Sequence, residues 1–192
     1  SGSESLPKTV PLTHENILSN VRDVAGVVEV FESDRLVAML PPFHAFGLTT
    51  GLVVPLCLGV PAVHHPNPTE GRPLARLVEA YRPTVLIGTP TFLGGIVRAA
   101  EPEALVSLRL IVTGAEKCPD RLHETLARQC PGAKVLEGYG VTECSPIIAL
   151  SDYHQPRPGT IGRVLPSFEH AVVNEEAGCR AGPGRAGVLL VR

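Results

Sequence analysis

No two lysines or arginines stand side by side in this sequence, and its formal net charge is only −2 with a pI near 6.4. A nucleic-acid surface is therefore disfavoured, because neutralising phosphates takes clustered cations. Paired cysteines are missing too. Cys57, Cys118, Cys130, Cys144 and Cys179 are odd in number and contain no CxxC. That excludes a disulfide scaffold and a zinc knuckle and points to a reducing compartment. The seven histidines do not gather into a metal-ligand spacing, and the adjacent His64 and His65 would face opposite sides of a strand. The only methionine is Met39, so Ser1 is not expected to be a native start. An uncharged run from Phe46 to Val63 is long enough to suggest a membrane span. Pro55, Gly59 and Pro61 interrupt it, and a buried helix followed by a buried strand is expected instead.

What is present is a globular composition. Of 192 residues, 44% are hydrophobic and 19% charged, enough for one large domain with a core. Nineteen glycines and nineteen prolines predict many loops between short elements. Short apolar runs begin at Leu36, Pro61, Val85, Leu110 and Val135, a spacing of about 25 residues. The runs share no residue-level consensus, which argues against a solenoid. Segments of helical spacing lie between them, notably 73–81 and 119–129, and Thr13 suits the N-cap of an early helix. Strand–helix–strand units of this length make a parallel sheet flanked by helices, an α/β fold. After Gly140 the pattern changes to strands at 146–150, 171–174 and 187–192, separated by Gly/Pro-rich turns. The expected organisation is an α/β section over residues 1–145 and the start of a β-rich subdomain over 146–192.

Four segments carry chemistry. Ser1-Gly2-Ser3-Glu4-Ser5-Leu6-Pro7-Lys8 is a small-residue loop ending in a lysine, suited to polyphosphate, although Pro7 spoils a Walker-type reading. Glu137-Gly138-Tyr139-Gly140-Val141-Thr142-Glu143 follows the fifth strand, beyond whose carboxyl end ligands of open sheets bind. It offers close backbone approach, a stacking ring, a hydroxyl and a hard oxygen ligand for magnesium. Gly114-Ala115-Glu116 ends the fourth strand, and a loop bearing His44 follows the first. Together they suggest a nucleotide site, against a bland reading as a frayed terminus, Gly-rich turns and a structural histidine.

These same segments resemble, in order, the signature motifs of the acyl-adenylate-forming enzymes, and the likeness runs over essentially the whole chain. SGSE, PPFHAFGLTTGL, GTPTFLG, GAEKCP, LEGYGVTECSP and PGTIGRVLP are similar to the acyl-carrier-protein synthetase half of the bifunctional acylglycerophosphoethanolamine acyltransferase family. Ser5 and Thr9 depart from the glycines usual there. The resemblance implies ATP-dependent activation of a fatty acid and transfer to acyl carrier protein, for lysophospholipid reacylation. Alternatives are an acyl-coenzyme A ligase, an amino-acid adenylation domain, a P-loop NTPase or a non-catalytic nucleotide-binding module. It further implies that Ser1, Gly2, Ser3, Glu4, Ser5 and Lys8 hold the pyrophosphate portion of ATP. Gly114, Ala115, Glu116, Gly138 and Tyr139 frame the adenine, and Glu137 and Gly140 belong with them to the nucleotide-binding set. Thr142 touches the α-phosphate or the carboxylate, Glu143 ligates Mg2+, and His44 lines the junction with the acyl pocket. Residues between Phe43 and Gly51 and from Thr89 to Gly94, small and apolar, suit an alkyl chain. The family's ribose-binding TGD motif and lysine-bearing C-terminal domain do not follow Arg192, so a fragment of a longer cytoplasmic enzyme is expected, with association at the inner membrane face when whole.

Overall fold

The computed structural model of the protein describes residues 9–176 and 178–192. The loop Ser1 to Lys8 therefore lies outside the described residues. Helix α1, His14–Val27, starts as its sequence dictates: the Thr13 side chain accepts from the Asn16 N–H, and the Asn16 side chain accepts from the Thr13 N–H. There follow β1 (Leu36–Ala38), α2 (Ala45–Leu48), a wider π-type turn over Thr49–Val53, α3 (Val54–Leu58) and β2 (Ala62–His64). Next come α4 (Gly71–Tyr81), β3 (Val85–Gly88), α5 (Pro90–Ala99), β4 (Leu110–Thr113), α6 (Asp120–Gln129) and β5 (Lys134–Gly140). The chain closes with β6 (Ile147–Leu150), β7 (Arg163–Val164), β8 (His170–Val173) and β9 (Val188–Val191).

Seven strands form one sheet in the order β2-β1-β3-β4-β5-β6-β7, the first five parallel as the 25-residue period predicts. The strand expected to open a β-rich section at Pro146 instead pairs antiparallel with β5, and β7 follows antiparallel on β6. The sheet thus runs on past residue 145 to Val164, and the separate two-stranded pairing begins only at β8. The cause is length: a parallel return takes a crossover of a dozen or more residues, whereas the few residues from Val141 to Pro146 allow only a reversal.

Alternation along the central strands divides the core between the sheet's two faces. Leu86 and Ile111 pack with Leu74, Val78, Leu93, Ile96 and Leu126 of the helices α4, α5 and α6. Leu110, Leu136 and Leu150 pack on the other face with Val28, at the end of α1. Helix α5 carries two glycines, Gly94 and Gly95. Helix α4 packs against it so closely that a Cβ at Gly71 would strike the Gly95 carbonyl, which accounts for the glycine at 71. The segment from Ala45 to His64 is less buried than expected. Leu56 is 80% exposed on α3, and β2 pairs only with β1 at the edge of the sheet. Among the described residues no helix is long and apolar enough to cross a membrane.

The amino ends of the strands are fastened by a buried ion pair. The Arg109 guanidinium meets Asp34 through Nη2 and through Nε at 2.7 Å, and it also donates to the Tyr153 hydroxyl and the Glu29 carbonyl. Asp34, 2% exposed, further accepts from Thr84 Oγ1 at 2.6 Å and the Phe31 N–H at 2.8 Å. Burial pushes the Asp34 carboxyl up, but the bonds from Arg109, Phe31 and Thr84 outweigh it and hold it below the usual carboxylate range. The Arg109 ring of donors sits over the Phe31 face, 4.3 Å from its centroid.

Candidate functional site

Because β1, β3, β4 and β5 run parallel and in register, their carboxyl ends release four loops along one edge of the sheet. The loops face an open cleft of about 530 Å³ lined by Leu40, Pro41, His44, Phe46, Thr89, Phe92, Ala115, Glu116, Gly140, Thr142 and Glu143. A smaller hollow of about 60 Å³ opens beside it, between Phe46, Gly114, Gly138, Tyr139, Pro146 and Ile147. The sequence-predicted residues His44, Gly114, Ala115, Glu116, Gly138, Tyr139, Gly140, Thr142 and Glu143 thus meet at one place.

Close backbone approach explains the glycines here. A Cβ at Gly114 would sit 3.0 Å from the Gly138 carbonyl oxygen, and one at Gly140 would collide with that of Pro146. Ala115 turns the chain with φ of 68°. Thr142–Cys144 forms a single helical turn closed by Ser145, whose N–H donates to the Thr142 carbonyl at 3.2 Å. This turn is clamped from α1. The buried Asn20 carboxamide donates to the Ile147 carbonyl at 2.6 Å and accepts from the Ile147 N–H at 3.2 Å.

The two carboxylates of the cleft differ. Glu116 accepts from Thr91 Oγ1 at 2.6 Å, which ties its loop to the start of α5. Glu143 is exposed and has no partner among the described residues. Its charge is felt next door: burial first, then Glu143, pushes the Cys144 thiol up. His44 is exposed, makes no side-chain cap to α2, and lies 4.7 Å from the Phe43 ring. Tyr139 is 41% exposed.

Glu137 stands apart from the other residues expected at the nucleotide. It does not line the cleft or the hollow; its side chain takes the other face of β5 from Gly138. There Glu137 Oε1 lies 3.0 Å from His123 Nε2 of α6 and accepts from the Gly159 N–H at 2.6 Å. The result is a structural joint between α6, β5 and the loop before β7. Of the residues expected to line an acyl pocket, Ala45, Phe46, Gly47, Thr89 and Phe92 border the cleft, whereas Thr91 donates to Glu116. Leu40, Val112, Ile147 and Leu150 also line the cavities. Their signal was the period-two alternation on β4 and the apolar run of β6.

Burial pushes the Cys118 and Cys130 thiols up to about 11, Glu137 and Asp120 adding to the first, and neither side chain lines the cleft. Among the described residues no three His, Cys, Asp or Glu side chains converge on a metal site. Magnesium does not need such a cage, since it is held through one or two carboxylates and substrate phosphates. The exposed Glu143 carboxylate fits that role. If Tyr139 stacks on a flat ring, Tyr139→Phe should raise the KM for nucleotide less than about threefold and Tyr139→Ala more than tenfold. Equal losses from both changes would assign the hydroxyl, not the ring, as the group that matters.

A family model described as AMP-binding enzyme matches residues 1–192. A long-chain-fatty-acid–CoA ligase of Bacillus subtilis (strain 168) is 30% identical over 198 residues, covering 100% of this chain and 35% of the relative. A p-hydroxybenzoic acid–AMP ligase of Mycobacterium marinum is 30% identical, covering 100% of this chain and 27% of its own length. The ATP-bound structure of MatB from Rhodopseudomonas palustris superposes with a TM-score of 0.84 at 27% identity, over 94% of this chain and 36% of that one. The chain therefore spans about a third of the length of the proteins it matches.

Proposed function

Since the chain belongs to the AMP-binding enzyme family, we propose that it forms the nucleotide- and acid-binding part of an ATP-dependent acid–thiol ligase, acting on a fatty acid. The observation that carries this reading is the convergence of Gly114–Glu116, Tyr139, Thr142 and the exposed Glu143 on the cleft and adjoining hollow at the carboxyl edge of the sheet. Apolar walls from Phe46, Phe92 and Pro146 beside those polar groups suit an acid with a hydrocarbon tail.

In the proposed reaction a carboxylate oxygen attacks the α-phosphorus of ATP in line, a new P–O bond forms, and pyrophosphate leaves. A thiolate then attacks the acyl carbonyl, a thioester forms, and AMP leaves. The chain contributes positioning and charge. Gly114 to Glu116 and Tyr139 frame the adenine, and the Thr142 hydroxyl donates to the α-phosphate or the acid. Glu143 holds Mg2+, which supplies charge neutralisation on the polyphosphate. The loop Ser1 to Lys8 is assigned to the pyrophosphate portion. The thiol is acyl carrier protein on the motif resemblance, with coenzyme A the alternative that the Bacillus subtilis relative's name favours.

Pyrophosphate–ATP exchange by the whole protein, with a panel of carboxylic acids, tests the reading. Exchange that depends on a fatty acid, followed by thioester formation on carrier protein or coenzyme A, is expected. Absence of exchange with every carboxylic acid overturns it.

A further inference from the structure

A polar hollow of about 250 Å³ lies beside β7, the last strand of the sheet, lined by Asp152, Gln155, Arg157, Thr160, Gly162 and Arg163. None of these residues borders the cleft. Because β6 runs antiparallel to β5, the loop of residues 151–162 leaves at the amino edge of the sheet, away from it. The backbone holds this loop in shape. Asp152 Oδ1 accepts from the His154 N–H at 2.9 Å and the Gln155 N–H at 3.1 Å. Arg157 stands between Pro156 and Pro158, which narrow its backbone choices, and Thr160 Oγ1 donates to its carbonyl at 2.9 Å. Gly159 is pinned to Glu137, and Arg163 pairs with Leu150 as part of β7. Two guanidinium groups thus extend from fixed points of the chain. Their charge is little used within the protein. Arg157 has no ion-pair partner among the described residues, and Arg163 Nη2 stands 3.5 Å from Asp152 Oδ2, too far for a full hydrogen bond.

We propose that this hollow binds a small phosphate monoester bearing hydroxyl groups, with its phosphoryl oxygens between Arg157 and Arg163. The site is separate from the cleft and does not rest on the ligase reading. Charge is the first argument. A monoester carries about −1.5 to −2 near neutral pH, which two guanidinium groups balance. Geometry is the second: one guanidinium fork already satisfies both oxygens of a carboxylate, whereas three phosphoryl oxygens can engage two forks from different points of the loop. Size is the third. The hollow falls below the roughly 300–1,000 Å³ of sites for drug-sized ligands, which leaves room for a few carbons beside the phosphate and none for a nucleotide. The remaining lining groups suit the hydroxyls. Asp152 Oδ2, the Gln155 carboxamide oxygen and Thr160 Oγ1, whose proton goes to the Arg157 carbonyl, all accept.

The test is calorimetric titration of the whole protein at low salt with glycerol 3-phosphate, glycerate and glycerol. The phosphate ester should saturate with a low-millimolar dissociation constant, and glycerate and glycerol should bind at least about tenfold more weakly. Arg157→Gln and Arg163→Gln should each weaken the ester about threefold or more and together about tenfold. Both side chains are exposed, so the melting temperature should not change. Arg185→Gln, an exposed arginine outside the hollow, should leave binding as it is. An equal loss at Arg185 would mean an adventitious ion only, and overturns the site. Glycerate binding as tightly as the ester, or no saturable heat from the ester, overturns it as well. Retention on vesicles of phosphatidylcholine and phosphatidic acid without binding of the soluble ester would assign the arginines to a membrane surface instead, and overturns the small ligand.

Discussion

Glu143→Gln in the whole protein should abolish acid-dependent pyrophosphate exchange, a loss of about a thousandfold or more, while thermal melting stays within a degree or so of the parent. The side chain is exposed and bonded to nothing among the described residues, so the change removes no packing and leaves no partner stranded. What it removes is one formal charge from the proposed metal–polyphosphate site, where charge stabilisation in the transition state is worth several kcal/mol. The affinity for ATP in the presence of Mg2+ should fall much less than the rate, because the interaction tightens as charge develops. Exchange near the parent's rate would remove Glu143 from the metal site and leave Glu116, already engaged by Thr91, as the remaining carboxylate of the cleft.

Arg109→Met should have the largest effect on stability, about 3–5 kcal/mol, because it strands the Asp34 carboxylate in a buried position. For a domain of this size that corresponds to a melting temperature lower by roughly 6–20 °C. The pH dependence separates this cause from lost packing. In the parent, the folded carboxyl of Asp34 titrates below its unfolded value. Its contribution is therefore fully present above about pH 4 and is lost as pH falls through the lowered folded value. In the variant only the Phe31 and Thr84 hydrogen bonds still oppose burial, so the folded value rises relative to the parent and the penalty, present near neutrality, is relieved by acid. Melting curves of the two proteins should converge as pH falls from 7 toward 4. A gap that does not change with pH would mean that the aliphatic stem of Arg109 and its contact with Phe31 matter more than its charge.

The parallel part of the sheet was legible because buried parallel strands read as continuous apolar runs. VLIG and LIVT became β3 and β4 at their expected limits, and Thr13 capped α1 as its side chain allows. The reversal after β5 was not legible, since the run at Ile147–Leu150 is equally apolar whichever way it points and both its faces are covered. In α5 the pair Gly94-Gly95 hides a helix that exists because α4 packs on it closely. The cleft was legible as a set of motifs, and their convergence followed from the parallel topology. Glu137 misled because proximity in the motif was taken for proximity in space, while side chains on a strand alternate between faces. The apolar hollow of about 80 Å³ beneath α1 and α3 has no linear signature, because β1, β3, β4 and β6 also supply its walls.

The Asn20 clamp on Ile147 joins residues 127 positions apart. Closing so long a loop costs little more than closing one half its length, since the entropy grows only with the logarithm of the separation. Its kinetic position is less favourable: a contact of that range forms only after the intervening strands have paired. The Glu143 turn therefore inherits its final position late in folding. Fluctuations that free α1 loosen the turn while β3 and β4 stay paired. Amide exchange should accordingly be faster at Ile147 than at Ile111, so that the carboxylate proposed to hold Mg2+ sits in the part of the molecule expected to open first.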